Sequence, residues 1–139
     1  MNKLSGTIEN ITSSGNISLV EVNVAGVLLS AMIIGNAGNT PFLKIENSVQ
    51  VLFKESEVSI AKNFQGEISL RNRLVGPILK LKKGIVFSEI TFDFKGHRMV
   101  SLITTRSVER LELVVGDEIT GFIKSNEVIL SEIEWIANF

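Results

Sequence analysis

The chain repeats itself. Asn2-Lys-Leu-Ser-Gly-Thr-Ile8 matches Asn72-Arg-Leu-Val-Gly-Pro-Ile78, and Phe53-Lys-Glu-Ser-Glu-Val58 matches Ile123-Lys-Ser-Asn-Glu-Val128, each pair 70 residues apart (72 − 2 and 124 − 54). Between these anchors Gly15 aligns with Gly84, Glu21 with Glu89 and Ser30 with Ser101, which places small insertions and deletions in the expected hairpin turns. A sequence of this kind folds as two copies of one small unit rather than around one large core. A unit of roughly 60 to 70 residues buries only about 60% of the surface that its unfolded chain exposes, so one copy alone is marginal. The repeat therefore predicts two modules, residues 1–63 and 64–139, that pack together, and further association of several chains.

Each module reads as β-structure. Ile17–Val24 and Ile85–Phe94 alternate apolar and polar residues over most of their length, the period of a strand with one buried face. Short β-branched runs follow at residues 27–34, 48–53, 58–60, 99–104, 118–123 and 128–130, and Gly, Asn and Ser separate most of them. Two stretches break the alternation, Thr40–Glu46 and Ser107–Leu113, and each is expected to form one or two helical turns. Ser107 is the N-cap candidate of the second. The expected class is all-β, as five-stranded small barrels with one short helix each.

Composition excludes several functions. A formal net charge of −1 and a pI near 5.9 argue against a polyanion partner, because non-specific nucleic-acid affinity comes from a Lys/Arg excess that neutralises phosphates. With no cysteine, no disulfide framework, thiolate metal site or cysteine nucleophile can be written, and the cytoplasm is the compartment expected. No apolar run follows Lys3 as in a cleaved signal, and nowhere do eighteen apolar residues run together, so neither secretion nor a membrane span is expected.

Ser69-Leu-Arg-Asn-Arg-Leu-Val-Gly-Pro-Ile78 resembles the Ser-Ala-Arg-Asn-x-Leu-x-Gly-x-Ile/Val signature that opens a Mop module, a small molybdate-binding fold. The likeness continues in Leu102-Ile-Thr-Thr-Arg-Ser107, similar to the family's Ile-Thr-x-x-Ser stretch, in Leu113-Val-Val-Gly-Asp-Glu-Ile, and in Phe122-Ile-Lys-Ser, similar to its Ile-Lys-Ala/Ser close. With the weaker first copy included, the resemblance covers essentially the whole chain and is to a tandem, di-Mop, TOBE-like molybdate/tungstate-binding protein. It implies two barrels like the oligonucleotide/oligosaccharide-binding (OB) fold, strands exchanged between modules, and oxyanion pockets at interfaces between modules or subunits. Free-standing relatives imply a homo-oligomer, a trimer in preference to a dimer.

The chemistry of such a pocket follows from the ligand. Molybdate and tungstate are compact dianions with four acceptor oxygens and no donors, so a selective site supplies convergent hydroxyls and N–H groups. At roughly 1.5 to 3 kcal/mol per hydrogen bond to a charged group, about five or six donors suffice for micromolar or tighter binding. The resemblance implies Ser69, the backbone around Arg71 and Asn72, the hydroxyls of Thr104 and Ser107, and the Lys124 ammonium as oxyanion donors, with Ser125 a weaker candidate. As a plain strand, residues 69–72 would be an edge carrying a solvated arginine, and Lys124 an outward-facing residue. Thr104 and Ser107 would serve a strand end and a helix start, a role compatible with anion binding because a helix start also presents free N–H groups. The first copy has no Ser-x-Arg before Asn2 and has Ile34-Gly-Asn-Ala-Gly38 where the second has its threonine and serine. Only Lys54, the counterpart of Lys124, survives there to mark a second, weaker site. The first module is therefore expected to act mainly as a packing partner.

No catalytic machinery is expected. His97, the sole histidine, falls in Phe94-Lys-Gly-His-Arg98, a hairpin tip, and reads as a solvated turn residue with no serine triad around it. The acidic residues are scattered, with no closely spaced pair suited to acid/base work. Trp135 reads as packing for the last segment or an oligomer contact. No cation ligands and no organic cofactor are expected. The expected function is thus non-catalytic binding of molybdate or tungstate for storage, buffering or sensing. Two alternatives differ in class. An OB-fold nucleic-acid binder is disfavoured by the charge, by the absence of tyrosine, and by phenylalanines that read as core. A detached regulatory tandem would contact a transporter or repressor.

Overall fold

A computed structural model of the chain describes residues 1–133. Its strands are β1 (Asn2–Ser14), β2 (Ile17–Val24), β3 (Val27–Ile34), β4 (Ser48–Phe53), β5 (Ser59–Lys62), β6 (Asn72–Lys83), β7 (Phe87–Phe94), β8 (His97–Thr104), β9 (Glu118–Ile123) and β10 (Ile129–Glu132). One α-helix, α1 (Thr105–Arg110), follows β8, and single 3-10 turns follow β4 and β9. The alternating runs form the strands because one face of each is apolar. β2 and β7 show the same inward–outward sequence of burial residue for residue.

The repeat is more regular than matching of residue types implies. The five strands of the first repeat begin at 2, 17, 27, 48 and 59 and those of the second at 72, 87, 97, 118 and 129, a constant offset of 70. The pairings of Gly15 with Gly84, Glu21 with Glu89 and Ser30 with Ser101 are therefore corrected, and no insertion or deletion separates the strands. The face that a residue occupies is what the period-2 geometry preserves, and an isolated shared Gly, Glu or Ser does not report it.

The strands form two five-stranded sheets, ordered β10-β4-β1-β2-β3 and β5-β9-β6-β7-β8. The fifth strand of each repeat is therefore exchanged: β5 pairs antiparallel with β9, and β10 with β4. The two compact units follow the sheets. One comprises Met1–Asn2 and Phe53–Lys124, the other Lys3–Leu52 and, among the described residues, 125–133. In the unit built on the second repeat, β6 is the bent strand of an OB-like barrel. Residues 72–77 pair with β9, residues 78–83 pair with β7, and a register shift between Ile78 and Lys80 marks the bend. β1 carries the same shift between Ile8 and Asn10.

Gly76 is dictated by this bend. A Cβ there would fall on the Asp93 carbonyl of β7, and one on Gly6 would meet the Asn23 carbonyl at 2.6 Å, so both repeats need a residue without a side chain. Leu74, Ile78, Ile90 and Phe92 are buried along β6 and β7, as are Leu4, Ile8, Val20 and Val22 along β1 and β2. Each such side chain contributes about 1.5 to 3 kcal/mol by leaving water. The phenylalanines divide: Phe53, Phe92, Phe94 and Phe122 are buried, whereas Phe64 and Phe87 are exposed.

Two helical expectations need correction. Residues 40–46 form reverse turns rather than a helix. Side chains there and just upstream satisfy the backbone locally, with the Asn39 Oδ1 accepting from Asn36 N and Asn36 Oδ1 from Gly38 N, which competes with helical hydrogen bonding. In the second repeat the helix starts earlier than expected. Thr104 is the N-cap and accepts from Ser107 N, so Ser107 lies one turn inside the boundary. Trp135 lies outside the described residues.

Candidate functional site

Four of the expected donors of the second repeat gather at one end of the β6–β9 pair. Asn72 opens β6 and lies opposite Ile123, the last residue of β9. One step beyond that pair are Arg71 and Lys124, both exposed, so two cations leave the sheet at the same end. Ser69 is exposed in the bend that leads into β6, and Ser125, half-buried, opens the following 3-10 turn in the other unit. Asn72 is fully buried. Its counterpart Asn2 spends its side-chain amide on the backbone of Val100, donating from Nδ2 to the carbonyl and accepting on Oδ1 from the N–H, both at 2.8 Å.

Thr104 and Ser107 form a second group. Thr104 ends β8 opposite Phe87, and the adjacent Thr105 donates to the carbonyl of Gly84, the residue that follows β6. The whole of β6, 12 residues and a contour of roughly 40 Å, separates this group from Asn72 along the strand. The structure therefore joins Ser69, Arg71, Asn72 and Lys124 at one end of β6 and Thr104 with Ser107 at the other.

The hydrogen bonds assign the protons of this second group. Thr104 Oγ1 donates to Ser107 Oγ at 2.9 Å and accepts from Ser107 N at 3.2 Å. Its one proton is used internally, so the Ser107 hydroxyl is the one left to donate outward. Thr105 N is also spoken for, by the Val86 carbonyl at 2.8 Å, so the start of α1 offers fewer free N–H groups than a bare helix end. Arg106, not singled out from the sequence, lines an open cleft of about 400 Å³ with Thr104, Ile85 and Val86. The signal was a cation inside Leu102–Ser107, between the two hydroxyl residues.

The first repeat presents a different surface. Lys54 is exposed at the start of its 3-10 turn, but the next residue is Glu55 where the second repeat has Ser125. Glu55 forms an ion pair with the Met1 amino group, and hydrogen bonding from that group holds its carboxyl below the usual range. Glu55 and Glu89 line a cleft of about 270 Å³ with Asn2, Val100 and Leu102. Two carboxylates in one small cleft oppose an anion. His97 is exposed at the first position of β8, after a Lys95-Gly96 turn whose φ angles of 51° and 88° match those of Ala25-Gly26. Among the described residues no group of three His, Asp or Glu side chains could hold a metal ion, and no helix is long and apolar enough to cross a membrane.

The chain is similar to known proteins. Residues 68–130 match the TOBE domain family model, a span that includes every candidate donor from Ser69 to Ser125. The chain is 39% identical over 64 residues to the molybdenum-pterin-binding protein 1 of Clostridium pasteurianum, covering 45% of this chain and 94% of that protein. It is 32% identical over 105 residues to the molybdenum-pterin-binding protein MopB of Rhodobacter capsulatus, covering 74% of this chain and 39% of that protein. In fold it is similar to the crystal structure of the cytoplasmic molybdate-binding protein ModG, with a TM-score of 0.85, 22% identity and coverage of 95% and 96% of the two chains. With the signature at Ser69–Ile78, the 70-residue repeat and the exchanged strands, the chain belongs to the TOBE-domain family of molybdenum-pterin-binding proteins, as a tandem of two Mop-type modules.

Proposed function

We propose that the chain binds molybdate or tungstate without catalysing a reaction, as an intracellular store, buffer or sensor of the oxyanion. The observation that carries this reading is the character of the two donor groups at the ends of β6. They consist of hydroxyls and cations, with Ser69, Arg71, Lys124 and Arg106 exposed and Ser107 half-buried. A tetrahedral dianion with acceptors only is the ligand such groups suit. Because the two groups lie at opposite ends of one strand, each ion is expected to be completed by a donor group from a neighbouring chain, in a trimer rather than a dimer. Lys54 marks a weaker second site at most, since Glu55 takes the place of a serine beside it. The ModG protein is described as cytoplasmic, which supports the same compartment here. No organic cofactor, nucleic acid or membrane partner is required.

Isothermal titration of the anion-free protein with molybdate, tungstate and sulfate tests this reading, alongside Lys124→Ala and Ser69→Ala. Micromolar or tighter binding of molybdate or tungstate, little of sulfate, and a loss of at least tenfold in each variant are expected, since each removes a hydrogen bond to a charged ligand. Silence towards all three anions would end the proposal.

A further inference from the structure

The segment 63–71, which enters β6 and carries Ser69 and Arg71, has no regular secondary structure of its own. It is nonetheless gripped at two points. Phe64 lies edge-on to Phe122 of β9, with ring centroids 5.4 Å apart and planes at 72°. The Arg73 guanidinium lies over both rings, with Cζ 5.4 Å from the Phe122 centroid and 5.7 Å from that of Phe64, within cation–π range. Arg73 and Phe122 are cross-strand partners, and Phe122 is buried, so one wall of the grip is part of the sheet. From that position Arg73 Nε points to the carbonyl of Leu70 at 3.5 Å, a long hydrogen bond onto the residue between Ser69 and Arg71.

The first repeat lacks both sheet-borne parts of this device. Lys3 stands in place of Arg73 and Leu52 in place of Phe122. A lysine could not substitute, because it has neither a planar face to stack between rings nor an Nε–H directed along the strand.

We infer that Arg73, held between Phe64 and Phe122, is a positioning residue for oxyanion binding. It fixes the Leu70 carbonyl and so aims Ser69 and the N–H groups around Arg71 without touching the ligand. This rests on the proposed function, and deepens it by naming what preorganises the donors. The cost of ordering a nine-residue segment is met before the ligand arrives, which is how preorganisation raises affinity.

The test uses the full chain with Phe64→Leu, Phe64→Tyr and Arg73→Lys. Molybdate affinity is measured by titration, and amide hydrogen exchange of residues 65–71 is followed without ligand. Phe64→Leu and Arg73→Lys are expected to weaken binding about tenfold, the effect of one partly buried cation–aromatic contact. Exchange should rise in residues 65–71 and stay unchanged in β6 to β9, and Phe64→Tyr should restore both. Wild-type affinity in Phe64→Leu and Arg73→Lys would overturn the inference. If the wild-type chain takes no oxyanion, the functional reading itself fails. Exchange then decides the grip alone: faster exchange of residues 65–71 in Phe64→Leu sustains it, and unchanged exchange removes it.

Discussion

The two hydroxyls at the end of β8 are inequivalent, and that difference can be measured. Thr104 gives its proton to Ser107 and caps α1 through the same oxygen, while Ser107 keeps a proton for an external acceptor. Ser107→Ala should therefore weaken molybdate binding by about 1.5 to 3 kcal/mol with little change in stability, the worth of one hydrogen bond to a charged ligand. Thr104→Val should lower stability by about 1 kcal/mol through loss of the cap, and Thr104→Ser should behave as wild type. Equal losses of affinity in Ser107→Ala and Thr104→Ser would contradict this division of roles. Gly76 is decided by space instead. Its α-hydrogens face the Asp93 carbonyl, so Gly76→Ala should lower the denaturant midpoint by an amount worth about 3 kcal/mol, the upper range for forcing one extra carbon into a packed site. The sequence motif shows that a glycine stands there in both repeats, but the crossing strand that requires it is visible only in three dimensions. Arg106 was missed for a related reason: a lone arginine on a strand-to-helix junction has no distinctive sequence context until the cleft beside Thr104 exists.

At the scale of elements, strands with one buried face were legible and the segments around them less so. Residues 17–24, 27–34, 48–53 and 118–123 alternate or run β-branched and form strands with those limits. β1 and β6 are longer than any run read from the sequence, because Thr, Asn, Ser and Lys on their outer halves carry no apolar signal. The turn region 40–46 is expected as helix because it breaks the strand alternation, while the asparagine-to-backbone bonds beside it favour turns. Its counterpart in the second repeat is closed by Lys62 of β5. The ammonium bonds the carbonyls of Leu111 and Glu112 at 3.2 and 3.0 Å and the Asp117 carboxylate at 3.1 Å. The N–H of Val114, and after it Lys62, hold the Asp117 carboxyl below its ordinary value. A depressed folded-state value means that stability from this group is complete above the unfolded value of about 3.9 and is lost as pH falls through the lower folded one. Urea midpoints of wild type and Asp117→Asn should therefore differ at pH 6 and converge towards pH 2.5. A constant gap across that range would show that Asp117 acts through shape rather than charge. The first repeat has Asn47 at this place, with its amide donated to the Phe42 carbonyl.

The molecule as a whole leaves apolar surface that neither repeat covers by itself. In the unit built on the first repeat, Ile17 lies opposite Ile34 and Leu19 opposite Met32, and all four are exposed, Ile34 to 86%. Four large apolar side chains on one face of a hairpin mark an interaction surface. The same face of the second repeat carries Phe87, Thr104, Glu89 and Leu102, which is half polar and includes a candidate donor. Under the proposed assembly, a second chain packed near that polar face would supply the donors that one chain keeps at the far end of β6, and assembly and ligand binding would then be one equilibrium. Anything that binds the assembled state alone stabilises it by mass action, by about 2.7 kcal/mol when its concentration is a hundred times the dissociation constant. For a chain of this size that corresponds to a rise of roughly 8 °C in melting temperature. Saturating molybdate should produce such a rise, and the melting temperature should also increase with protein concentration. Replacing Met32 and Ile34 together by aspartate should abolish both dependences while each hairpin still folds, because both side chains are exposed. A ligand-induced rise that persists at full size in that double variant would place the site within one chain and remove the need for a neighbour.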